Sequence, residues 1–209
     1  TFEAASLDLG GGAQVRFPDS TKMSKVYFRG TVEIEGKDRR QDVKADIPAG
    51  VNLQIGVDAD TRGKIRIGHT VGENNGYGHM NALGAGGAFT AFVDEFLVGR
   101  TDDPNSFDMS LMDSCSVDAV TADAEIGTGG TGSGTVKIPA GTATFTSLAI
   151  GQASGGTGLL ALSNTVVVVS NALDVGATGA LTINDGATVA VYGTLRGIGT
   201  IQETSGRSE

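Results

Sequence analysis

The stretch that decides the fold is Leu148-Ala-Ile-Gly-Gln-Ala-Ser-Gly-Gly-Thr-Gly-Leu-Leu-Ala-Leu162. Two short apolar runs of period two flank a glycine-rich centre, and none of its polar side chains is suited to chemistry. Such a stretch is a phosphate-binding loop, a linker, or one turn of a repeat. A search for related segments decides between them, because missing a repeat misassigns the whole fold.

Related segments share one template: an apolar-x-apolar-Gly strand end, a short polar turn, and a Gly-x-apolar-x-apolar strand. The copies are Val51–Ile67, Ala124–Ile138, Leu148–Leu162 and Leu173–Ile183, with a partial copy at Phe96–Gly99. The glycine that closes the first strand falls at Gly30, Gly56, Gly99, Gly127, Gly151, Gly176 and Gly199. Most of these intervals are about 25 residues, a length typical of structural repeats. The exception is the much longer interval between Gly56 and Gly99.

A second element precedes the template. Ile47-Pro-Ala-Gly50 and Ile138-Pro-Ala-Gly141 are identical tetrapeptides, and Asn184-Asp-Gly186 occupies the corresponding place later in the chain. Short alternating strands bury one face, and glycine adopts the positive φ angles that tight corners require. One repeat of this length cannot bury its own apolar face, whereas stacked repeats bury a continuous column. The pattern therefore predicts an all-β solenoid with coils of about 25 residues.

Two regions depart from the repeat. The long interval contains Gly72-Glu-Asn-Asn-Gly-Tyr-Gly-His-Met80, which predicts a loop insertion and an irregular region near 72–92. Residues 84–98 are the best helix candidate, because Phe89, Phe92 and Phe96 follow a spacing of three and four. A surface strand pair is the competing interpretation.

We expect residues 1–209 to form a single solenoid domain with four parts. Residues 1–25 are an N-terminal segment able to pair with a neighbour, and 26–126 are charged, irregular coils. Residues 127–202 are regular coils rich in Gly, Thr and Val, and 203–209 are a tail. The division follows the charge, since residues 1–126 hold 12 of the 15 Lys and Arg and 20 of the 24 Asp and Glu.

Residues 141–202 are similar to the passenger repeats of autotransporter-type and related bacterial surface proteins. The cadence "LTI..GATV.V.GTL.G.GTI" is followed closely from Leu181 to Ile201. The resemblance covers residues 141–202 well and extends loosely to the earlier repeats. It implies a right-handed parallel β-helix, secretion, and an extracellular or cell-surface location, and it implies no catalytic residues.

Composition excludes several classes. A net charge of −9 and a pI near 4.6 disfavour nucleic-acid binding. A helix that spans a bilayer needs roughly 20 apolar residues in succession. Apolar runs such as Val166–Val169 are far shorter, so no transmembrane helix is expected. Cys115 is the only cysteine, which rules out an intrachain disulfide, and we expect it to be a small buried apolar residue.

The glycine-rich run Gly127-Thr-Gly-Gly-Thr-Gly-Ser-Gly134 superficially suggests a phosphate loop. Such loops need a Gly-Lys-Ser/Thr ending or a following helix, and here Thr135-Val-Lys-Ile138 favours a strand. We interpret the run as a corner.

Acidic residues offer a candidate metal site. Asp102, Asp103 and Asp108 are hard oxygen ligands close in sequence, as Ca²⁺ prefers, and Asp58 and Asp60 form a smaller set. The spacing matches neither an EF-hand nor the RTX nonapeptide. We interpret these residues as solvated loop carboxylates, keep Ca²⁺ as the alternative, and expect no other cofactor.

Other candidates are weaker. His69 and His79, with Glu73 between them, lack the further ligands of a metal site, and we interpret them as satisfied loop histidines. Asp94, Glu95 and Arg100 are available for glycan cleavage. A single Thr-x-Thr run, Thr142-Ala-Thr-Phe-Thr146, is not stacked in successive coils and is not interpreted as an ice-binding face.

Two functions follow. The first is a non-enzymatic, extracellular structural or adhesive solenoid that assembles end to end into a filament or surface layer, because first and last coils present unpaired strand edges. The alternative is a glycan-binding or glycan-cleaving β-helix, such as a tail spike or a polysaccharide-lyase-like module. Residues 127–209 contain only Phe145 and Tyr192 as aromatics, so a long sugar cleft would have to lie in 73–113. The expected partners are therefore further copies of the chain and, in the alternative, a glycan or cell-surface ligand.

Overall fold

A computed structural model describes residues 1–35, 42–68, 77–120, 124–152, 155–184 and 186–204. All regular structure in this part of the chain is β-strand, which confirms the predicted all-β class. The strands are β1 (Phe2–Ala4), β2 (Leu7–Leu9), β3 (Gln14–Arg16), β4 (Lys25–Phe28), β5 (Thr31–Ile34), β6 (Asp42–Ile47), β7 (Asn52–Ile55), β8 (Gly63–Ile67), β9 (Tyr77–Ala82), β10 (Ala88–Val98), β11 (Pro104–Asp108), β12 (Ser114–Ala119), β13 (Ala124–Ile126), β14 (Ser133–Ile138), β15 (Gly141–Ile150), β16 (Thr157–Leu162), β17 (Thr165–Val175), β18 (Gly179–Asn184), β19 (Thr188–Val191), β20 (Thr194–Gly197) and β21 (Thr200–Thr204).

The strands form one sheet of 13 and one of eight, and each of their pairings is parallel. We call three successive strand segments a tier. The first and second segments of each tier join the larger sheet, and the third joins the smaller one. The long strands β10, β15 and β17 each supply a first and a second segment, so the 21 strands make eight tiers. This arrangement is compatible with a β-helix.

Alternation explains which residues form the core. In β6, β9 and β14 every second side chain is buried, and parallel in-register pairing puts the buried positions of successive tiers in one column. The middle of the column is aromatic. Phe107 makes edge contacts with Phe89 at 5.1 Å and Phe96 at 5.5 Å between ring centroids. Later tiers continue the column with aliphatic side chains such as Val169 and Leu173.

Main-chain hydrogen bonds join the tiers at the corner after each second segment. The amide of Gly127 donates to the carbonyl of Val98 at 2.8 Å, and the amide of Gly151 donates to that of Ile126 at 2.8 Å. The same bond recurs along the chain, with donors at Glu35, Gly68, Gly99, Gly127, Gly151, Gly176 and Gly199. Successive donors lie farther apart in sequence in the charged first half than in the later tiers.

The sequence alignment of the repeats was wrong by one strand in the first half of the chain. Gly30 and Gly56 follow first segments, whereas Gly99 and its successors follow second segments. The long interval from Gly56 to Gly99 therefore compares two different corners, and Gly68 is the true counterpart of Gly99. Buried and outward side chains alternate in each segment, and nearly every corner carries glycine. The sequence template is therefore the same at different corners and does not show which corner a given glycine occupies.

The predicted irregular region near 72–92 is wrong where the structure describes it, because residues 77–82 and 88–92 belong to β9 and β10. Residues 69–76, including His69 and Glu73, lie outside the described residues. The helix predicted over 84–98 is also wrong. β10 pairs on both edges, so it is not a surface strand pair either.

A register shift explains the misleading phenylalanine spacing. The pairing of β10 with β8 is interrupted between Val93 and Glu95, and a bulge of this kind changes which side chains face inward. Phe89 and Phe96 are both buried although their residue numbers differ by an odd number. In an unbroken strand, two such side chains point to opposite faces of the sheet.

The corner predictions are confirmed. The two Ile-Pro-Ala-Gly tetrapeptides lie between third and first segments, where β6 and β14 end, and Gly50 has a φ of +71°. Residues 148–150 end β15 and residues 157–162 form β16, so the run 148–162 links a second segment to a third. In the described part of the chain, no helix is long and apolar enough to cross a membrane.

Candidate functional site

Two aspartates of the calcium prediction precede β11 and the other is its last residue, and their oxygens contact different groups. Asp102 Oδ1 accepts a hydrogen bond from the Thr131 amide at 2.8 Å. Asp108 accepts from Lys137 Nζ at 2.7 Å and from Ser110 Oγ at 2.6 Å. Burial raises the pKa of Asp108, but these two hydrogen bonds lower it by more than burial raises it. The net pKa therefore lies below its ordinary value.

The third aspartate, Asp103, uses its main-chain carbonyl to accept a hydrogen bond from Asn105 Nδ2 at 2.6 Å. Asp58 closes its own turn, since its Oδ1 accepts from the amides of Asp60 and Thr61. Over the described ranges, no group of three or more His, Cys, Asp or Glu residues is placed to hold a metal ion. The calcium site stays a prediction.

The glycine-rich run 127–134 packs against the main chain of the preceding tier. A Cβ atom at Gly129 would lie 2.5 Å from the Arg100 carbonyl oxygen, and one at Gly132 would lie 2.4 Å from that of Asp103. The run leads into the strand β14, as predicted for a corner. Its glycines therefore allow close approach of two backbones.

His79 lies on the outer face of the smaller sheet in a row of polar side chains. Its Nδ1 is 2.8 Å from Ser106 Oγ, and Ser106 Oγ donates to Asn81 Oδ1 at 3.1 Å. Its Nε2 is 3.2 Å from Asp42 Oδ1, a solvent-inaccessible atom with no hydrogen bond of acceptable geometry. Sequence reasoning missed this row because the pairing of Ser106 with His79 depends on the register of β11 and β9.

The row contains serine, histidine and aspartate but does not have the organisation of a hydrolase. Acyl transfer needs donors aimed at the developing oxyanion. Ser106 lies in the middle of β11, which is paired with β9 on one edge and β14 on the other, so the neighbouring amides are committed to the sheet. Ser106 Oγ also donates a hydrogen bond to Asn81 Oδ1. The sequence predicted a loop histidine whose ring nitrogens have polar partners. His79 has such partners, but it lies on the strand β9 and not in a loop.

The residues considered for glycan cleavage are not brought together. Glu95 accepts two hydrogen bonds from Arg66 and one from Lys64. Arg100 instead pairs with Glu125 at 3.2 Å, and Asp94 is exposed at the register shift in β10. Burial raises the pKa of Glu95, whereas the bonds from Arg66 and Lys64 lower it, with a net pKa below the ordinary value.

A groove lies on the outer face of the larger sheet near the C-terminal tiers. Its first part, about 180 Å³, is lined by Ala124, Glu125, Ser147, Leu148, Ala149, Gln152, Ala172 and Asp174. Its second part, about 350 Å³, is lined by Gln152, Asp174, Gly176, Ala177, Gly197 and Ile198. Gln152 and Asp174 line both parts, so the two parts adjoin at these residues.

The last tier exposes side chains that register places at core positions. Leu195 is paired with the buried Leu173, yet 56% of it is exposed. Ile201 is paired with the buried Leu181, yet 48% of it is exposed. These residues define an apolar terminal surface on β20 and β21.

The first tier has the same character. Phe2 pairs with the fully buried Val26 and is 41% exposed. Strands β1, β2 and β3 pair with β4, β5 and β6 respectively, each on one edge only. Both terminal tiers therefore present three parallel strand edges.

No family model matches this chain, and neither a curated protein nor a solved structure matches it.

Proposed function

We propose that this chain is a non-enzymatic, extracellular structural and adhesive module that stacks end to end with further copies of itself. In this proposal it folds as a right-handed parallel β-helix with three strand segments per coil, as in the passenger repeats that residues 141–202 resemble. The parallel pairing of successive tiers and the recurrent glycine corners support the helix.

The observation that carries the proposal is the exposure of core-register side chains on the last tier. Leu195 and Ile201 occupy the column that is buried everywhere in the interior tiers. Fully burying an exposed aliphatic side chain contributes about 1.5–3 kcal/mol, and these two side chains, which are already half covered, gain roughly half of that each. A further tier placed over β19, β20 and β21 gains this energy and satisfies the free main-chain groups of the three edges.

The first tier of a second copy fits this surface. It supplies three parallel segments in the same order, with Phe2, Leu7 and Val15 facing the core and only partly covered. Contact between the last tier of one copy and the first tier of the next is heterologous. Such contacts do not close on themselves when the axis is straight, and they produce a filament.

The strand edges of the last tier carry little of the protection that natural sheets use against pairing. Charged side chains, proline and bulges keep edge strands apart. β19 is Thr-Val-Ala-Val and has none of these, whereas β20 and β21 carry only Arg196 and Glu203. This composition supports an edge that pairs with a strand of another copy.

Charge placed on the terminal surface tests the proposal. The variant Leu195→Lys/Ile201→Lys puts two charges into the proposed contact. Its matched control, Thr194→Lys/Gln202→Lys, adds the same charge to outward positions of the same strands. Light scattering over a concentration series should show growing mass for the wild type and the control, and a constant 21.1 kDa for the first variant. Equal growth of both variants would contradict the contact.

A further inference from the structure

The groove described above separates two carboxylates in the same outward row of the larger sheet. In register order the row runs Glu125, Ala149, Asp174 and Arg196. Strands are spaced about 4.8 Å apart, so the Cα atoms of Glu125 and Asp174 are roughly 10 Å apart. The groove between them leaves room for a ligand.

Side-chain size creates the groove. In earlier tiers the same row holds Glu33, Arg66 and Leu97, all large. At tier six it changes to Ala149, and the adjacent row contains Ser147 and Ala172. The floor is therefore made of small side chains, whereas the equivalent surface of earlier tiers is filled.

The two carboxylates are presented differently. Both Arg100 Nε and Thr128 Oγ1 contact Oε2 of Glu125, which fixes the orientation of that carboxylate. Asp174 is half-buried and has no hydrogen-bond or ion-pair partner within the described part of the chain. Gln152, whose amide both donates and accepts, lies beside it in both parts of the groove.

We infer that this groove binds a short neutral or amino oligosaccharide through Glu125, Gln152 and Asp174. Sugar hydroxyls and ammonium groups donate hydrogen bonds, which the two carboxylates accept. The C–H face of a pyranose ring packs on Ala149 and Ala172. Ile198, which is 85% exposed, forms an apolar wall at the far end. The unpaired carboxylate of Asp174 repels acidic sugars and phosphates, because like charges brought together are destabilising.

A calcium ion fits the groove less well than a saccharide. Ca²⁺ takes six to eight oxygen ligands at about 2.3–2.6 Å. Here the carboxylates are two strands apart, and Glu125 is already neutralised by Arg100.

The groove is short and its lining contains no aromatic side chain. It therefore agrees with the sequence argument against a long sugar cleft in residues 127–209. Shallow sites of this kind bury little surface, and we expect a Kd on the order of 1 mM.

The inference does not depend on end-to-end assembly, although it gives the adhesive part of the proposed function a ligand class. Neither Leu195 nor Ile201 lines the groove. The experiment is therefore run on the dispersed Leu195→Lys/Ile201→Lys background, so failure of binding and failure of assembly are observed separately. If that background still assembles, the same titration is read on immobilised protein by surface plasmon resonance.

The test is an ¹⁵N-¹H NMR titration with neutral, amino and uronic trisaccharides, and with CaCl₂ alone. Ala149→Arg fills the groove and neutralises it, and an arginine is tolerated in the same row at Arg66. Ala161→Arg is the matched control, because it adds the same side chain on the same tier to the outer face of the other sheet. Asp174→Asn removes the free charge and keeps the shape.

We expect neutral or amino trisaccharides to shift amides of residues 147–152 and 172–177, with at least tenfold weaker binding in Ala149→Arg and Asp174→Asn and unchanged binding in Ala161→Arg. The inference is overturned by absence of any saccharide shift at 20 mM (~20 times the expected Kd), or by binding that survives Ala149→Arg. It is also overturned if uronic trisaccharides bind best or if CaCl₂ alone shifts the same amides.

Discussion

Arg66 on β8 donates two hydrogen bonds to the carboxylate of Glu95 on β10, from Nε to Oε1 and from Nη2 to Oε2, both at 2.8 Å. This bidentate pair joins two tiers on the outside of the larger sheet. Lys64 adds a third bond to Glu95 Oε2 at 3.1 Å, and Glu33 of the preceding tier lies 3.5 Å from Arg66. The charged first half of the chain therefore ties its tiers together through its outward face as well as through its core.

Arg66→Gln should lower the free energy of unfolding by about 1–3 kcal/mol, because it leaves a carboxylate that is only 14% exposed without its bidentate partner. The control is Arg29→Gln, which removes the pair of Arg29 with Glu3 on the exposed surface. Such surface pairs contribute about 0–1 kcal/mol. Urea denaturation measures both variants, and equal losses would show that the Arg66 pair is no stronger than a surface pair.

His79 should titrate below the ordinary value of 6.5. Burial lowers its pKa, Asp42 and Asp46 raise it, and Lys44 lowers it, with a net decrease. The folded protein therefore binds this proton less readily than the unfolded chain does. Its contribution to stability is complete above pH 6.5 and is lost as the pH falls through the lowered pKa.

The chain has two histidines, so the imidazole resonances in an NMR pH titration are assigned by His79→Gln alone. The loss of thermal stability on lowering the pH from 7 should become shallower in that variant. A His79 resonance that titrates above 6.5 would contradict the burial of the ring.

Cys115 should be unreactive in the folded protein. Burial raises the pKa of its thiol to about 12, and the thiolate is the reactive form. A thiol reagent at pH 8 should label it only after denaturation. Cys115→Ala/Ser116→Cys moves the thiol by one residue to the exposed side of β12 and should be labelled at once. Equal labelling of the two native proteins would mean that the strand alternation is assigned wrongly.

Gly127→Ala should be among the most destabilising single changes, at roughly 3 kcal/mol or more. Gly127 has a φ of +63°, and an added Cβ would lie 1.9 Å from the carbonyl oxygen of Thr157 in the next tier. Gly155→Ala is the control, because its φ is +111° but its Cβ would have no atom nearer than 3.7 Å. The control should lose only the cost of an unfavourable backbone conformation, about 1–3 kcal/mol. Thermal unfolding ranks the pair, and a Gly127→Ala protein as stable as the control would refute the close approach of these backbones.

Local alternation and glycine placement were sufficient to predict the all-β class and the corners. Leu148–Leu162 shows why, since both of its strand ends are encoded within one short continuous stretch. The corner to which each glycine belongs was not predictable in the same way. Gly56 and Gly68 close different corners, although each follows a short alternating strand. Only the pairing of each strand with the neighbouring tier distinguishes them.

The candidate sites were harder to predict because they depend on neighbours in the stack. Glu125 and Asp174 are distant in sequence and flank one groove only because Ala149 lies between them in register. His79 and Ser106 meet for the same reason. In β10, the bulge after Val93 broke the alternation and made a strand resemble a helix in its phenylalanine spacing.

The most direct test of the central claim, that the tiers of one copy continue into those of the next, is electron microscopy of the wild-type chain over a concentration series. Eight tiers at about 4.8 Å each predict filaments with an axial repeat of roughly 38 Å per copy. Filaments with that repeat, absent in Leu195→Lys/Ile201→Lys, are the expected result. Particles of a single 21.1 kDa species at every concentration, or filaments with an unrelated repeat, would contradict it.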